Sequence, residues 1–203
     1  MPYKVHKLEK SEIDRAVETI FAAFINDPVM LWLFGGVDGY HQHARFAIKT
    51  WVRWSMLYGL AIATDNCEAV ALRRKPGKQE FTFWGMLRTG MFLYPRVLGK
   101  KIFGRIIELG KIIEAEQARN MGKQKFWYCW VLAVKPDKQG QGYGKALMQY
   151  TFDLARCDNL PCYLETATPV NLQIHGHNGF ELVSQQQITD SDVMLYSMLR
   201  KVR

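Results

Sequence analysis

Three alternate glycines, Gly140, Gly142 and Gly144, stand directly before a segment with the composition of a helix. Glycines leave backbone N–H groups without side-chain cover, and the N-terminus of a helix carries the positive end of the helix dipole. The chemistry that this arrangement serves is the binding of an anion, most naturally a phosphate group. The stretch from Leu132 to Leu147 is therefore the first candidate for a ligand site.

Two phosphate-binding patterns that use glycines in this way do not fit. A Walker A loop requires Ser or Thr after Gly-Lys, whereas Gly144-Lys145 is followed by Ala146, and Gln139 stands where the motif needs an earlier glycine. A dinucleotide fingerprint requires its last glycine where this chain has Lys145.

Histidines and cysteines form the other reactive groups. His41 and His43, and likewise His175 and His177, form His-x-His pairs, but a metal site would require the pairs to converge, so we predict no metal. No cysteine belongs to a Cys-x-x-Cys pair, which indicates reduced, buried thiols rather than a zinc site or a disulfide framework. The four cysteines are Cys67, Cys129, Cys157 and Cys162.

The composition limits the class of protein. With 203 residues, 48% of them hydrophobic, the chain suffices for one substantial core, so we expect a single domain over residues 1–203. No run approaches the roughly 18 to 20 apolar residues of a membrane span, and no secretory signal begins the chain, which favours a soluble cytoplasmic protein with no membrane partner. The net charge of +8 is spread out, which disfavours nucleic acid as the partner.

The elements that must position these residues follow from hydrophobic periodicity. We predict a helix from Ser11, as N-cap, to about Asn26–Pro28, a second helix over 41–58, a β-hairpin of 60–65 and 68–73, and two or three short helices over 82–117. A central strand over 126–134 precedes the glycines, and a helix over 144–156 follows them. The remaining predictions are a strand over 162–166, a helix from Asn171, and strands over 180–185 and 194–200.

The segment Gln139-Gly140-Gln141-Gly142-Tyr143-Gly144 resembles the R/Q-x-x-G-x-G/A pyrophosphate loop of the GNAT N-acetyltransferase superfamily. The context is similar too, because Val134-Lys135-Pro136 resembles the turn that precedes the loop. Further segments resemble the puromycin N-acetyltransferase-like branch of that superfamily. They are Asn26-Asp27-Pro28 with Leu31-Trp32-Leu33-Phe34, then Trp127-Tyr128 with Leu132-Ala133-Val134, and Tyr163-Leu164-Glu165-Thr166 with Pro169, Asn171 and Gly179-Phe180.

This resemblance implies an α/β (α+β) fold, the GNAT acyl-CoA N-acyltransferase fold, with a mixed central β-sheet flanked by helices and splayed at the cofactor strand. It implies acetyl-CoA as the co-substrate. The pantetheine would pair with the backbone of one strand, the pyrophosphate would bind the glycine loop, and a side chain on the following helix would hydrogen-bond the cofactor. The implied cofactor-binding residues are Leu132, Ala133, Val134, Gln139, Gly140, Gln141, Gly142, Tyr143, Gly144, Lys145 and Asn171.

For catalysis, the resemblance places His175 where the superfamily commonly has a tyrosine that acts as the general acid. His175 donates a proton if its pKa stays near the usual value of about 6.5, or holds a water that does so; alternatively it packs in the fold or binds cofactor. Glu165 is the first candidate general base, with a purely structural role as the alternative, and Asp27 is the second. Asp27, Trp32 and Tyr128 are candidates for the acceptor side, although an Asp before Pro is also an ordinary feature at the end of a helix.

The sequence thus predicts an N-acetyltransferase that moves an acetyl group from acetyl-CoA to a primary amine by direct transfer in a ternary complex. A GNAT-fold sensor or scaffold that binds acetyl-CoA without turnover is the first alternative, and a basic nucleic-acid-binding module is the second. The acceptor is a small-molecule or peptide amine, and its identity stays open. Apolar faces between Met86 and Ile113 are candidates for a homodimer contact or for a cover over the acceptor site.

Overall fold

The structure, a computed structural model, describes residues 3–78 and 80–202. In this part of the chain seven strands form one mixed sheet. They are β1 Val5–Lys7, β2 Leu60–Thr64, β3 Ala69–Arg74, β4 Trp127–Val134, β5 Cys162–Thr166, β6 Glu181–Gln187 and β7 Met194–Arg200. Their order across the sheet is β1-β2-β3-β4-β5-β7-β6, and every neighbouring pair is antiparallel except β4 and β5, which are parallel.

Helices cover both faces of this sheet. In chain order the α-helices are α1 Ile13–Ala23, α2 Pro28–Phe34, α3 Val37–Tyr58, α4 Phe83–Thr89, α5 Tyr94–Val97, α6 Gly99–Met121, α7 Tyr143–Asp158 and α8 Pro169–His177. Ile20 of α1 and Ile48 of α3 share a buried core with Leu72 of β3. On the other face, Leu147 of α7 is buried with Ile62 of β2 and Leu164 of β5. The predicted mixed sheet flanked by helices is confirmed.

The β-hairpin and the central strand form as predicted, because their residues are buried on both faces of the sheet. Every residue of β2 is buried, as are the first five of β3. The strand β4 is β-branched and aromatic and lies in the middle of the sheet, which is typical of a strand covered on both sides. The strand β1, which pairs with β2, was not predicted.

The first helices differ from the prediction at their ends. Ser11 lies inside a short 3-10 turn and is not the N-cap of α1, because Glu9 and Glu12 form a capping box there and the Glu9 N–H donates to Glu12 Oε2 at 2.9 Å. The helix α1 ends at Ala23, before the predicted stop, and the short α2 follows. The helix α3 begins at Val37 rather than residue 41, since Tyr40 is buried and its hydroxyl donates to the Phe21 carbonyl at 2.8 Å.

Two further predictions need correction. The segment over 82–117 does contain short helices, but α6 runs unbroken for 23 residues through Gly104 and Gly110 to Met121. Each glycine lowers helix propensity by about 1 kcal/mol relative to alanine, and burial of the apolar face offsets that loss. Cys157 is exposed at the end of α7, whereas the other three free cysteines are buried as expected.

No described helix is by itself long and apolar enough to cross a membrane. The segments Lys10–Ala23 and Pro28–Phe34 meet that criterion only when taken together, and the chain bends by 105° between them.

Candidate active site

The strands β4 and β5 are paired at one end and separate at the other. Among the described residues their register holds only two pairs, Trp127 with Cys162 and Tyr128 with Tyr163. On the other side of β4, the register with β3 shifts so that two residues of β4 stand opposite Arg73, which is a β-bulge. A bulge bends its strand, and here it bends β4 at the place where the pairing with β5 stops. The predicted splay at this strand is therefore present.

This separation leaves one backbone edge of Leu132, Ala133 and Val134 without a β5 partner in the described chain. The opposite edge stays paired with β3, through Ala71 with Leu132 and Ala69 with Val134. Backbone N–H and C=O groups seek hydrogen-bond partners. The open edge is thus suited to a ligand that carries amide groups of its own.

The glycine loop lies at the end of β4 and leads into α7. Gly140 and Gly142 have φ angles of +74° and +92°, a conformation that side-chain-bearing residues rarely adopt. The first hydrogen bond of α7 runs from the Ala146 N–H to the Gly142 carbonyl at 3.1 Å, so the N–H groups of residues 143–145 have no acceptor within the helix. Gly142, the N-cap, offers no side-chain acceptor either. These N–H groups at the positive end of α7 are suited to an anion.

The side chains around the loop hold its shape and leave its N–H groups open. Gln139 and Gln141 donate through their side-chain amides to the carbonyls of Val134, at 3.4 Å, and Asp137, at 3.0 Å. Tyr3, which no sequence motif indicates, stacks on Tyr143 with 3.9 Å between ring centroids and donates to the Gln141 carbonyl at 2.8 Å. The N-terminal segment therefore supports the loop from outside the β4–α7 unit.

Glu165 lies on β5 just beyond the last paired position of β4 and β5, on the side of the sheet that α6 covers. Gln117 of α6 donates to Glu165 Oε1 at 3.3 Å, and Tyr128 is close enough to lower the pKa of this carboxylate. The other oxygen, Oε2, is buried without a hydrogen-bond partner in the described structure. Burial raises the pKa of Glu165 to about 7, although Tyr128, Gln117 and the charge of Arg74 act to lower it. Glu165 can therefore exchange a proton near neutral pH.

Aromatic rings and an arginine form the surroundings of Glu165. The Arg74 guanidinium lies over the rings of Phe81 and Trp130, at 4.0 and 4.4 Å from their centroids. A second carboxylate, Glu116 on α6, is buried, accepts a hydrogen bond from Ser184 Oγ at 2.5 Å and pairs with Arg119 at 3.1 Å. The region next to Glu165 thus combines flat apolar surfaces with fixed charges.

His175 lies on α8, on the other face of the sheet. Its Nδ1 is buried without a hydrogen-bond partner among the described residues, and its ring meets Phe180 edge-on at 5.8 Å between centroids. Burial, with a contribution from the charge of Arg73, lowers the pKa of His175 to about 4. The imidazole is therefore neutral at pH 7. Asn171, in the first turn of α8, is half-buried, and its N–H donates to Thr168 Oγ1 at 3.3 Å.

Comparison with known proteins identifies the family. The sequence model of the acetyltransferase (GNAT) family matches residues 60–176, which is more than half of the chain and includes β4, the glycine loop and α8. The chain belongs to the GNAT family. Membership of the GNAT family implies an acyltransferase.

Relatives of this GNAT protein are distant in sequence and similar in fold. An uncharacterised N-acetyltransferase of Schizosaccharomyces pombe is 24% identical over 189 residues, which cover 90% of this chain and 75% of that protein. An acetyltransferase from Corynebacterium glutamicum related to the histone acetyltransferase HPA2 aligns over 100% of this chain and 98% of its own, with TM-score 0.73 and 19% identity. A polyamine N-acetyltransferase of Drosophila melanogaster aligns over 98% and 99%, with TM-score 0.71 and 13% identity. The puromycin-like branch is not distinguished by these relatives and stays a prediction.

The other residues that the sequence predicts for the site have their contacts away from Glu165, apart from Tyr128. Asp27 is the N-cap of α2, where its Oδ1 accepts the Met30 N–H at 3.0 Å. The carbonyl of Trp32 accepts a hydrogen bond from Arg105 of α6 at 2.7 Å, and the same guanidinium lies 5.5 Å from the Trp32 ring centroid. The exposed Lys145 lies in the first turn of α7, beside the N–H groups that are suited to an anion. Only Tyr128, of the three acceptor-side candidates, contacts Glu165.

Sequence reasoning missed the arginines and the glutamine of this GNAT site. Arg73 and Arg74 end the strand β3, and consecutive strand residues point to opposite faces, so one of them had to lie on each side of the sheet. That signal was present in the sequence. Gln117 shows no such signal, because it is one polar residue among several on α6. In the part of the chain that the structure describes, no three His, Cys, Asp or Glu residues are grouped to hold a metal ion.

Proposed function

We propose that this protein transfers an acetyl group from acetyl-CoA to a primary amine, by direct transfer in a ternary complex. The observation that carries the proposal is the position of Glu165, a carboxylate with a pKa of about 7, beside the point where β4 and β5 separate. Acetyl-CoA supplies an acetyl thioester, which is already activated toward attack by an amine. The protein has to hold the two reactants together and accept the proton of the amine.

The residues along β4 and α7 fit acetyl-CoA. The free N–H groups at the start of α7 suit its pyrophosphate, and the positive φ angles of Gly140 and Gly142 keep them uncovered. The open edge of Leu132, Ala133 and Val134 suits the two amides of its pantetheine arm. Tyr143 and Lys145 lie in the first turn of α7, and we propose that Asn171, in the first turn of α8, contacts the same ligand.

The proton of the amine goes to Glu165, directly or through a water molecule. A carboxylate with a pKa of about 7 is partly ionised at neutral pH and is basic enough to take up a proton. An ordinary glutamate, with a pKa of 4.5, is a much weaker base. Gln117 orients the carboxylate by donating to Oε1, which leaves Oε2 available. Glu165 thus takes the role of general base.

His175 is proposed to act as a neutral imidazole. Its pKa of about 4 means that little imidazolium exists at pH 7, so the general-acid role does not suit its surroundings. The buried Nδ1 without a partner among the described residues gives the ring hydrogen-bonding capacity for the cofactor or for a water molecule. Binding to the cofactor is one of the roles that the sequence leaves open for His175.

The acceptor is proposed to be a small-molecule or peptide amine. The Drosophila relative catalyses the formation of N-acetylagmatine, so one protein of this fold acts on a small amine. Here the rings of Phe81 and Trp130 flank Arg74, whose charge acts on Glu165, and they are suited to the apolar part of an acceptor. Release of thiol from acetyl-CoA should be measured with a panel of polyamines, arylalkylamines, amino acids and peptides.

The proposal predicts amine-dependent thiol release with at least one member of this panel. Calorimetry with acetyl-CoA in the absence of any amine provides the control for cofactor binding. Tight binding of acetyl-CoA combined with no thiol release for any amine would favour the sensor or scaffold alternative. Binding to heparin or DNA that persists at physiological salt would instead favour the nucleic-acid alternative.

A further inference from the structure

Arg73 is a fully buried arginine on the α7 side of the sheet, with 0% of its surface exposed. All its hydrogen-bond acceptors are neutral. They are Thr151 Oγ1 at 3.1 Å from Nε, the carbonyls of Val131 and Leu72 at 2.6 and 3.2 Å from Nη1, and Met148 Sδ at 3.3 Å from Nη2. None of the ion pairs formed by the described residues includes Arg73. Within the described chain, the Arg73 guanidinium therefore lies in the interior with no carboxylate hydrogen-bonded or ion-paired to it.

An uncompensated buried charge is unfavourable, and an arginine does not escape by losing its proton. The four neutral acceptors solvate the guanidinium, but they leave its net charge unneutralised. Such a charge is well suited to stabilise an anion that forms nearby during a reaction, because the field is already in place and no water has to reorganise.

Arg73 lies beside the bulge of β4, which comes directly after the last residue of β4 that pairs with β5. Arg73 is the β3 residue opposite the bulge of β4, and its shortest hydrogen bond goes to Val131, just beyond the bulge. Its charge also acts on groups of all three elements around the gap, namely Cys129 of β4, Cys162 of β5 and His175 of α8. The Arg73 guanidinium is thus a common electrostatic neighbour of the elements that would surround the reacting end of acetyl-CoA.

We propose that Arg73 is a positioning residue that holds the bulge of β4 and stabilises the negative charge that develops on the sulfur of CoA. This inference rests on the proposed function. In the transfer a bond forms between the amine nitrogen and the acetyl carbon, the bond between that carbon and sulfur breaks, and its electron pair stays on sulfur. The proton of the amine goes to Glu165. The fixed positive charge of Arg73 then stabilises the thiolate of CoA, a role that a general acid at position 175 of α8 would otherwise have.

The test compares the binding of CoA with that of desulfo-CoA, which lacks the thiol. Calorimetry is run from about pH 7 to about pH 9.5, a range that spans the ordinary ionisation of a thiol. The protein should bind the thiolate form about tenfold more tightly than the thiol, so the pKa of the bound CoA thiol, followed by thiolate absorbance, lies about one unit below that of free CoA. Desulfo-CoA corrects for every other group that titrates in this range.

Three variants separate charge from packing. Arg73→Gln keeps hydrogen-bond donors but removes the charge, and should abolish the preference for thiolate. Arg73→Lys keeps the charge and should restore most of it. Thr151→Val removes one hydrogen-bond acceptor of Arg73 while leaving the charge in place, and should keep the wild-type preference. Circular dichroism and thermal unfolding establish that each variant is folded.

The outcomes distinguish this inference from the function on which it rests. Wild-type protein that binds CoA but shows the same pH dependence for CoA and desulfo-CoA overturns the role of Arg73 and leaves acetyl transfer untouched. A folded Arg73→Gln variant that keeps the thiolate preference overturns it as well. Wild-type protein that binds neither compound contradicts the proposed function itself. The wild-type comparison can overturn the inference even if Arg73→Gln does not fold, and Arg73→Lys then tests whether the charge at this position sustains the preference.

Discussion

Tyr128 and Glu165 are close neighbours on β4 and β5 at the place where these strands separate, and each acts on the pKa of the other. Tyr128 is paired with Tyr163, two residues before Glu165, so the contact lies at the last closed position of the strand pair. Burial raises the pKa of Glu165 to about 7 and the pKa of Tyr128 well above its ordinary value. Tyr128 therefore remains a donor at physiological pH, and Glu165 is the member of the pair that exchanges protons.

Replacement of Glu165 by Gln should lower kcat/KM for the amine by about 100-fold or more, the usual range for loss of a general base. In the wild type, kcat/KM should fall as the pH drops below about 7, because the base becomes protonated as the pH passes through its pKa. The variant should lack this acidic limb. Initial rates of thiol release at a series of pH values measure both effects.

Glu114→Gln provides the matched control for that experiment. Glu114 is exposed on α6 and, like Glu165, interacts electrostatically with Arg74, so its loss removes a nearby negative charge without touching the proposed base. The control should keep the acidic limb and most of the rate. An unchanged pH profile in Glu165→Gln would assign the proton transfer to another group.

The raised pKa of Glu165 also makes a prediction about stability. Its pKa is about 7 in the folded protein and 4.5 in an unperturbed chain, so the folded state binds the proton more tightly. The free energy of unfolding of the wild type should therefore fall relative to Glu165→Gln as the pH rises from 4.5 to about 7, and the difference should then stay constant. The change is at most about 3 kcal/mol. Urea unfolding at several pH values measures it, and parallel curves for the two proteins would contradict the pKa.

Substitution of Gly142 by Glu should weaken CoA binding by at least tenfold, a loss of about 1.4 kcal/mol. Gly142 has a φ of +92°, so a side chain strains the loop, and the carboxylate would repel the pyrophosphate at the free N–H groups of α7. Gly104→Glu adds the same charge at an exposed position of α6 with open space around it. Equal CoA affinity for the two variants in calorimetry would refute the assignment of the glycine loop.

Asp27 distinguishes a capping role from an acceptor-binding role. Asp27→Ala removes the hydrogen bond to the Met30 N–H and should cost about 1 kcal/mol of stability without changing kcat/KM for the amine. Asp27→Asn keeps a capping oxygen but loses the charge, and should be close to the wild type in both respects. A raised KM for the amine in both variants would restore the acceptor-side role that the sequence suggested.

The strand β4 and the glycine loop after it could be predicted because local sequence determines them. Phe126 to Val134 is β-prone whatever surrounds it, and the glycines after it fix a turn and the start of a helix. The ends of the early helices could not be predicted in the same way. The start of α3 depends on the burial of Tyr40 against Phe21, a contact between residues 19 positions apart. The continuity of α6 through Gly104 likewise depends on tertiary contacts that outweigh its local propensity.

In the candidate site, too, some features can be predicted from local sequence and others depend on tertiary contacts. The resemblance to a family points to Glu165 and Tyr128, and the structure adds their proximity and the pKa of Glu165 that burial produces. In the sequence, Arg73 is only the last residue of the strand predicted over 68–73. Its burial, its neutral partners and its place opposite the bulge follow from the pairing of β3 with β4, which no local pattern contains.

The most direct test of the account is a single-turnover experiment with acetyl-CoA labelled in its acetyl group and an amine that supports thiol release. Mass spectrometry follows the label in the amine and in the protein. The account predicts that the label passes to the amine as an amide and that no acetylated protein accumulates at any time. An acetyl group bound to the protein before it reaches the amine would contradict direct transfer, and bound acetyl-CoA that never labels any amine would contradict the proposed activity.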